Sequence, residues 1–162
     1  MVRRVRWAAL GLLLVAVLGA GVGAAAAWSQ GYRVYAVRTG SMSPAFPTGT
    51  LVVDAPPTGA AAVGSVITFR VGAGLVTHRV HGATATGVTT KGDANAAPDA
   101  WTIPAGNIVG QVVAAVPRGG YVLVFFKQPT GSIALIAGIV STVLLWRLFF
   151  PADDAALTAA ST

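Results

Sequence analysis

The hydrophobic pattern divides the chain into three parts: two long apolar stretches towards its ends and a middle made of short alternating runs. The first apolar stretch, residues 7–28, contains no charged residue and has a tryptophan at each end. As an α-helix its 22 residues would rise about 33 Å, enough to cross a hydrocarbon core of about 30 Å. The tryptophans match the aromatic belts at membrane surfaces. Segment 1–29 is therefore predicted to hold a transmembrane helix.

The residues around this stretch indicate whether it is a retained membrane anchor or a cleaved signal peptide. Arg3, Arg4 and Arg6 precede it directly, and clustered arginines favour the cytoplasmic side of a membrane. The alternative is a cleavable signal peptide, because residues 24–27 are small alanines of the kind found before a processing site. The apolar part of a signal peptide is usually about 7–15 residues long. The greater length here favours a retained anchor with a basic, cytoplasmic start.

Residues 30–120 have the pattern of a small β domain. No part of this region has a sustained helical period; instead, β-prone runs alternate with Gly, Pro and Thr. Residues 72–74, Gly-Ala-Gly, fit a tight hairpin turn between two of these runs. Short strands at such spacing predict a mainly β, mostly antiparallel domain. The predicted strands cover residues 32–37, 51–53, 65–71, 75–80, 87–90 and 108–113.

A second uncharged stretch, residues 132–146, follows the β domain. It is shorter than a usual span, but an arginine near a helix end can extend its side chain to the membrane surface. A helix over residues 132–150 that includes Arg147 would then cross the bilayer. The alternative is a helix packed on the β domain. Two spans predict a multi-pass cell-membrane protein with the β domain outside, both termini in the cytoplasm, and residues 151–162 as a disordered tail.

A membrane-proximal segment, residues 121–131, lies between the β domain and this stretch. Its first half, residues 121–126, is apolar and aromatic. Such a run can form a last β-strand or a segment that lies on the membrane surface, and the pattern is compatible with both.

The composition narrows the possible functions. Charged residues make up only 10% of the chain, against about 25% in ordinary soluble domains, which agrees with membrane segments. The net charge of +6 does not indicate nucleic-acid binding, because Arg3, Arg4 and Arg6 supply half of it and no basic-aromatic interleaving is present. With no cysteine, there is no disulfide or thiolate metal site. His78 and His81, three apart on a strand, point to opposite faces, so they are not expected to share a metal ion. The sequence implies no other cofactor.

Three residue types in the β domain together supply the groups of a serine hydrolase site. Ser41 follows Gly40 at a predicted strand end, where a glycine lets the chain turn. His78 lies within an apolar strand, and histidine suits the role of base because imidazole ordinarily titrates near neutrality. Asp93 and Asp99 lie in a turn-rich loop that could supply the carboxylate. Each also has a simpler interpretation: a turn serine, a buried structural histidine and two solvated turn carboxylates.

Several motifs, in this order along the chain, resemble those of the type I signal peptidases, specifically the archaeal and endoplasmic-reticulum-type branch that uses histidine. The resemblance covers most of the chain and implies that Ser41 is the nucleophile and that His78, not His81, is the general base. It also implies that Asp99 is the third member of the site and that Asp93 shapes the active-site loop. Which of these two aspartates has which role is still open. The motifs are GSMSPAF at 40–46, GSVITFR at 64–70, THRV at 77–80, TKGDAN at 90–95 and VG at 109–110.

Two further residues follow from the related bacterial branch. There, a hydroxyl two residues before the nucleophile helps to bind the oxyanion beside the nucleophile's own N–H, and Thr39 occupies that position relative to Ser41. That branch uses a lysine as its base, so Lys91 is the alternative base here. Lys91 belongs to a Lys-Gly-Asp motif that the histidine branch also has, which favours His78 and makes Lys91 a supporting residue of the active-site loop.

The fold that the resemblance implies is a small antiparallel β catalytic domain with an N-terminal and a C-terminal transmembrane helix. The implied function is a membrane-bound serine endopeptidase that removes signal peptides from exported preproteins. Its partners would be those signal peptides and the lipid bilayer, and residues 121–126 would offer them an apolar surface. The alternative is a non-catalytic, membrane-anchored β module that binds a protein or a cell-wall partner. A third interpretation is a self-cleaving regulatory peptidase with the same serine chemistry.

Overall fold

A computed structural model describes residues 2–149 of the chain and the side chains of residues 7–149. It contains a seven-stranded antiparallel β-sheet with a long apolar helix towards each end, which confirms the predicted mainly β class. The chain divides into two compact units, with the boundary between Tyr121 and Val122. The helices are α1 (Val2–Ser29), α2 (Gly119–Lys127) and α3 (Pro129–Phe149). The strands are β1 (Arg33–Ala36), β2 (Leu51–Ala55), β3 (Val66–Val71), β4 (Gly74–Thr84), β5 (Gly87–Lys91), β6 (Thr102–Ile103) and β7 (Ile108–Val116).

The sheet has the order β1-β2-β7-β3-β4-β5-β6, and every neighbouring pair is antiparallel. Six of its strands match the predicted runs, with ends that differ by a few residues. β3 and β4 form the predicted hairpin: Val71 pairs with Gly74 around a turn in which Gly72 has a φ of 55°. β6 is missing from the predicted strands, since a strand of two residues has no alternating pattern to detect.

One face of the sheet forms the apolar core that supports the candidate base. The register of the β3–β4 hairpin places Ile67 opposite His78, with Phe69 and Val80 on the same face. Burial of each large apolar side chain contributes about 1.5–3 kcal/mol, so His78 lies on a firmly packed layer. The buried cluster consists of Ile67, Phe69, Val80, Val88, Ile103 and Ile108.

α1 ends in a hydrogen-bonded turn that joins it directly to the sheet. The N–H of Tyr32 donates to the carbonyl of Ala27 at 3.1 Å, and the N–H of Gly31 donates to that of Trp28 at 3.1 Å. These two bonds form a Schellman motif, in which Gly31 is favoured because it adopts a φ of 92°. Arg33 is the first residue of β1, and its Cζ lies 4.1 Å from the centroid of the Trp28 ring. Its Nη1 donates a hydrogen bond to the Trp28 carbonyl at 2.9 Å. The junction between helix and sheet is therefore short and well bonded.

Two helices are long and apolar enough to cross a membrane, judged by length and composition: residues Trp7–Ser29 of α1 and the whole of α3. The first covers the predicted N-terminal span. The second starts at Pro129, slightly before the predicted C-terminal span, and is described as far as Phe149. Phe150 and the predicted tail, residues 151–162, lie outside the described residues. The multi-pass topology stays a prediction.

Residues 121–126 are helical, so the alternative of a last β-strand is wrong. The chain leaves β7 through Arg118, whose positive φ of 61° turns it away from the strand direction. α2 starts in close contact with the loop before β2, because the Gly120 N–H donates to the Gly49 carbonyl at 2.9 Å. A Cβ on Gly120 would lie 2.8 Å from that oxygen, so the approach requires glycine. Periodicity does not separate strand from helix in an apolar run as short as this one.

β2 carries a buried carboxyl group that lacks a partner. Asp54 is 1% exposed, and neither of its carboxyl oxygens has a hydrogen bond within the described part of the chain. Gly110 of β7 makes room for it, since a Cβ there would lie 2.8 Å from the Asp54 Cβ. Burial raises the pKa of Asp54, because a charged carboxylate is poorly solvated there. The neighbouring Thr68 hydroxyl lowers this pKa by a smaller amount, although its geometry does not meet the criteria for a hydrogen bond. The folded domain therefore favours the protonated form of Asp54.

Asp54→Asn is expected to make the stability of the β domain less dependent on pH. Because the pKa of Asp54 is raised in the folded state, the unfolded chain binds fewer protons between about pH 3.9 and that raised value. The free energy of unfolding therefore falls as the pH rises through this window, and the contribution of Asp54 is fully present only below it. Denaturant unfolding at about pH 3.5 and about pH 7 should show the wild type losing stability relative to the variant. An equal difference at both pH values would contradict this expectation.

Candidate active site

The loop between β1 and β2 carries Ser41. It forms a tight turn, in which the Ser43 N–H donates to the Gly40 carbonyl at 3.0 Å and the Phe46 N–H donates to the Met42 carbonyl at 2.8 Å. The Met42 side chain is 1% exposed and anchors the loop in the domain interior. Ser41 itself is only half-buried. Ser41 thus presents its hydroxyl near the surface, and the buried side chain of the next residue, Met42, holds the loop in place.

His78 projects from β4 to this hydroxyl. Its Nε2 lies 3.1 Å from Ser41 Oγ, which is within hydrogen-bond distance. The imidazole packs edge-on to Phe69, with 6.3 Å between the ring centroids, and its side chain is 8% exposed. These contacts hold the ring while Nε2 stays available to the serine. The fold therefore brings together two predicted site residues that are 37 positions apart.

Asp99 lies in the loop after β5 and contacts the other imidazole nitrogen. Its Oδ2 is 2.7 Å from His78 Nδ1. The same oxygen accepts a hydrogen bond from the Thr90 hydroxyl at 2.6 Å, and the Asp99 N–H donates to the Thr90 carbonyl at 2.8 Å. When Nδ1 donates to the carboxylate, Nε2 is left as an acceptor for the Ser41 hydroxyl. This is the tautomer that a general base needs.

Thr90 is a site residue that is absent from the set predicted from the sequence. It is fully buried on β5, where its partner across the ladder is Val80, which lies on the same face of β4 as His78. A buried hydroxyl requires a hydrogen-bond partner, and Asp99 provides it. The sequence did contain one signal, because the alternation of β5 puts Thr90 on the same face as the apolar Val88. That pattern does not show which carboxylate would meet the hydroxyl.

Asp93, the other candidate carboxylate, pairs with Arg79 and not with His78. The Arg79 Nε and Nη2 donate to Asp93 Oδ1 and Oδ2 at 2.9 and 2.7 Å, and Nη1 donates to the Gly64 carbonyl at 2.8 Å. The hydrogen bonds with Asp93 raise the pKa of Arg79. A two-pronged ion pair of this kind fixes the position of the loop between β5 and β6. This geometry suits the loop-shaping role predicted for Asp93.

Lys91, the alternative base, faces away from His78. In the β4–β5 ladder it pairs with Arg79, the residue directly after His78. Neighbouring side chains on a strand point to opposite faces, so Lys91 shares the face of Arg79. Within residues 2–149, no hydrogen bond joins Lys91 to Ser41. The structure thus places a histidine, and not this lysine, beside the hydroxyl.

Thr39 and the backbone of Ser41 each offer a hydrogen-bond donor close to Ser41 Oγ. Thr39 Oγ1 lies 3.2 Å from Ser41 Oγ. The Ser41 N–H has no acceptor among the described residues, while the Ser41 carbonyl accepts the Ala94 N–H at 2.8 Å. That bond fixes the orientation of the peptide after Ser41. A hydroxyl and an N–H without an acceptor in the described region are therefore available near Oγ, as the predicted oxyanion donors require.

The assembled site is a chain of three groups, in which a carboxylate contacts an imidazole and the imidazole contacts a hydroxyl. Such a chain converts a weakly nucleophilic hydroxyl into one that attacks acyl carbons. Across residues 2–149, no group of three or more His, Asp, Glu or Cys side chains could hold a metal ion. His81 is exposed and makes no hydrogen bond to Ser41 in the described region.

No protein-family model matches this chain, and no curated protein matches it. A functional proposal therefore depends on the geometry of the site and on the motifs in the sequence.

Proposed function

We propose that this protein is a membrane-anchored serine endopeptidase that removes N-terminal signal peptides from exported preproteins. The observation that carries the proposal is the hydrogen-bonded chain from Asp99 through His78 to Ser41, with distances of 2.7 and 3.1 Å. This order of groups activates a serine hydroxyl for attack on a carbonyl carbon. The ordered motifs that resemble type I signal peptidases support this class of substrate.

The reaction would begin at the Ser41 hydroxyl. His78 Nε2 takes its proton as Oγ attacks the scissile carbonyl carbon, and Asp99 stabilises the resulting imidazolium. The tetrahedral oxyanion accepts hydrogen bonds from the Ser41 N–H and the Thr39 hydroxyl. His78 then gives its proton to the leaving amine, the C–N bond breaks, and an ester joins the signal peptide to Ser41. A water molecule that His78 deprotonates hydrolyses the ester and restores the free serine.

The apolar helices support a membrane setting for this reaction. A signal peptide carries an apolar stretch, and an enzyme held in the same bilayer meets that stretch at high effective concentration. α1 and α3 are long and apolar enough to provide the anchor. α2 adds exposed aromatic side chains, Tyr121, Phe125 and Phe126, of the kind found in helices that lie at a membrane surface.

The direct test is cleavage of a preprotein by the purified full-length chain in lipid vesicles. The masses of the products should show one cut, directly after a small residue that follows the apolar stretch of the signal peptide, as the resemblance implies. Binding of the preprotein without cleavage would overturn the proposal in favour of a non-catalytic β module. Cleavage of the chain itself, with the preprotein left intact, would instead support a self-cleaving peptidase.

Thr39→Val is expected to lower kcat for this cleavage by about 100- to 1000-fold, because one of two oxyanion donors is lost. Valine keeps the shape of threonine and replaces only the hydroxyl, with a methyl group. KM should change little, since the oxyanion develops only in the transition state. Thr39→Ser is the matched control, because it restores a hydroxyl and should recover most of the rate. A kcat of the valine variant equal to that of the wild type would show that Thr39 is not an oxyanion donor.

A further inference from the structure

The Asp99 side chain needs partners to hold its carboxylate in one orientation. Asp99 lies in the irregular segment between β5 and β6, outside any helix or strand. The last torsion of an aspartate side chain joins an sp³ to an sp² carbon, and such torsions have broad preferences instead of sharp minima. The hydrogen bonds that the carboxylate accepts therefore decide which of its oxygens faces His78.

Thr90 supplies one of these hydrogen bonds from inside the sheet. Its hydroxyl donates to Asp99 Oδ2 at 2.6 Å, and the same oxygen lies 2.7 Å from His78 Nδ1. A hydrogen bond to a carboxylate is stronger than one between neutral groups. Thr90 and His78 thus converge on one oxygen, and the threonine keeps that oxygen directed at the imidazole.

The surroundings of Thr90 commit its hydroxyl to this one bond. Thr90 is 0% exposed, and its neighbours are apolar: Val88 lies on the same face of β5, and Val80 is its partner across the ladder. A hydroxyl in such a place costs free energy unless it is hydrogen-bonded. Its acceptor within the described part of the chain is the Asp99 carboxylate, and water does not reach it to compete.

The backbone of Thr90 holds Asp99 as well. The Asp99 N–H donates to the Thr90 carbonyl at 2.8 Å, so one strand residue binds both the main chain and the side chain of Asp99. β5 pairs directly with β4, the strand that carries His78. The position of the carboxylate relative to the imidazole is therefore set through the β4–β5 ladder, although Asp99 itself lies in a loop.

We propose that Thr90 is a positioning residue, which fixes the Asp99 carboxylate so that His78 keeps its proton on Nδ1. The inference deepens the proposed peptidase function and rests on it for its effect on the rate. With Oδ2 held by Thr90, Nδ1–H donates to this oxygen and Nε2 accepts the proton of the Ser41 hydroxyl. Without the hydroxyl the carboxylate can rotate, and the imidazole loses the partner that favours this tautomer.

Thr90→Val is expected to lower kcat for preprotein cleavage by about 10- to 100-fold, the factor by which a hydrogen bond to a charged group usually favours one arrangement. KM should change little, because a fully buried residue does not contact the substrate. Valine has the shape of threonine and suits a buried strand, so the sheet should form. Thr90→Ser restores a hydroxyl and should recover most of the rate.

Thr68→Val is the matched control, since it removes another buried hydroxyl from the same sheet. Thr68 is 1% exposed on β3, and its hydroxyl lies 3.0 Å from that of Thr77. Thr68 is also opposite Thr77 in the ladder, so it lies on the sheet face away from His78. This variant should leave kcat close to that of the wild type.

A double variant isolates the path through Asp99. In Asp99→Ala there is no carboxylate for the Thr90 hydroxyl to hold, so addition of Thr90→Val should cause no further loss of kcat. A residue that only packs the sheet would lower the rate by the same factor in both backgrounds.

The tautomer of His78 gives a measurement that does not depend on activity. The chain has two histidines, so ¹⁵N-labelled histidine reports on His78 with the exposed His81 as a reference. The ¹⁵N shifts distinguish a protonated ring nitrogen from an unprotonated one. At alkaline pH, where imidazole is neutral, the wild type, Thr90→Ser and Thr68→Val should hold the proton on Nδ1. Thr90→Val should show a mixture of the two tautomers.

Three kinetic results would overturn the role of Thr90 and leave the peptidase function standing: a kcat of Thr90→Val equal to that of the wild type, a loss that Thr90→Ser does not recover, or a loss that persists in Asp99→Ala. Failure of the wild type to cleave any preprotein would overturn the peptidase function. A single Nδ1–H tautomer in Thr90→Val would overturn the role of Thr90 whether or not the chain cleaves preproteins.

Discussion

Ser41→Ala is expected to lower kcat for preprotein cleavage by about 10⁶-fold. The variant loses the only atom that forms a bond to the substrate, and no neighbouring group can replace Oγ. Binding should survive, because the backbone of the loop and its buried Met42 anchor are unchanged. The measurement is single-turnover cleavage in lipid vesicles, with binding of the uncleaved preprotein determined in parallel.

Ser43→Ala is the matched control for this change. Ser43 lies in the same turn, is likewise half-buried, and its hydroxyl makes no hydrogen bond to the site within the described region. Its removal should change the rate by less than about tenfold. Equal cleavage by wild type and Ser41→Ala would refute the serine mechanism, whatever the control shows.

Asp99→Asn is expected to lower kcat by about 10⁴-fold. An amide in place of the carboxylate can turn its NH₂ towards His78 Nδ1, and the proton of the imidazole then moves to Nε2. The ring can no longer accept the proton of the Ser41 hydroxyl. Because loss of the carboxylate leaves the nucleophile and the oxyanion donors in place, this variant should retain roughly 100-fold more activity than Ser41→Ala.

The Asp99 prediction separates an orienting role from a structural one. The variant should bind the preprotein with little change and should unfold close to the wild-type temperature, since Asn can keep the backbone bond to the Thr90 carbonyl. A loss of kcat together with normal binding and stability is the signature of a wrong tautomer. Activity within about tenfold of the wild type would show that Asp99 does not orient His78.

The sequence was informative where local pattern and burial agree. β3 and β4 have clear alternation and a Gly-Ala-Gly turn, and this hairpin carries His78 on the core face. The resemblance then implied Ser41 and favoured Asp99 over Asp93 as its companions, and the fold brings Ser41, His78 and Asp99 together. No property of the individual segments predicts this meeting, since it depends on how the β1–β2 loop and the loop after β5 fold onto β4.

Other features depend on tertiary contacts that leave no local trace. Thr90 and Asp54 look like ordinary strand and strand-end residues, yet each is buried to 1% exposure or less. Residues 121–126 are rich in residues that favour strands, but the chain turns at Arg118 and continues as a helix. The burial of Thr90 and Asp54 and the helical conformation of residues 121–126 were therefore determined by tertiary contacts and not by the intrinsic propensities of the residues.

The short junction at the end of α1 has a consequence for the range of substrates. Only Gln30, Gly31 and Tyr32 separate the helix from β1, and three extended residues reach at most about 11 Å. With α1 in a bilayer, this connection cannot extend further, because the N–H groups of Gly31 and Tyr32 donate to carbonyls of the last helical turn. The Arg33 side chain also stacks on Trp28 and donates to its carbonyl. The nucleophile would then work at one fixed height above the lipid. Preproteins whose cleavage point lies at that same distance from the membrane surface would then be cleaved in preference to others.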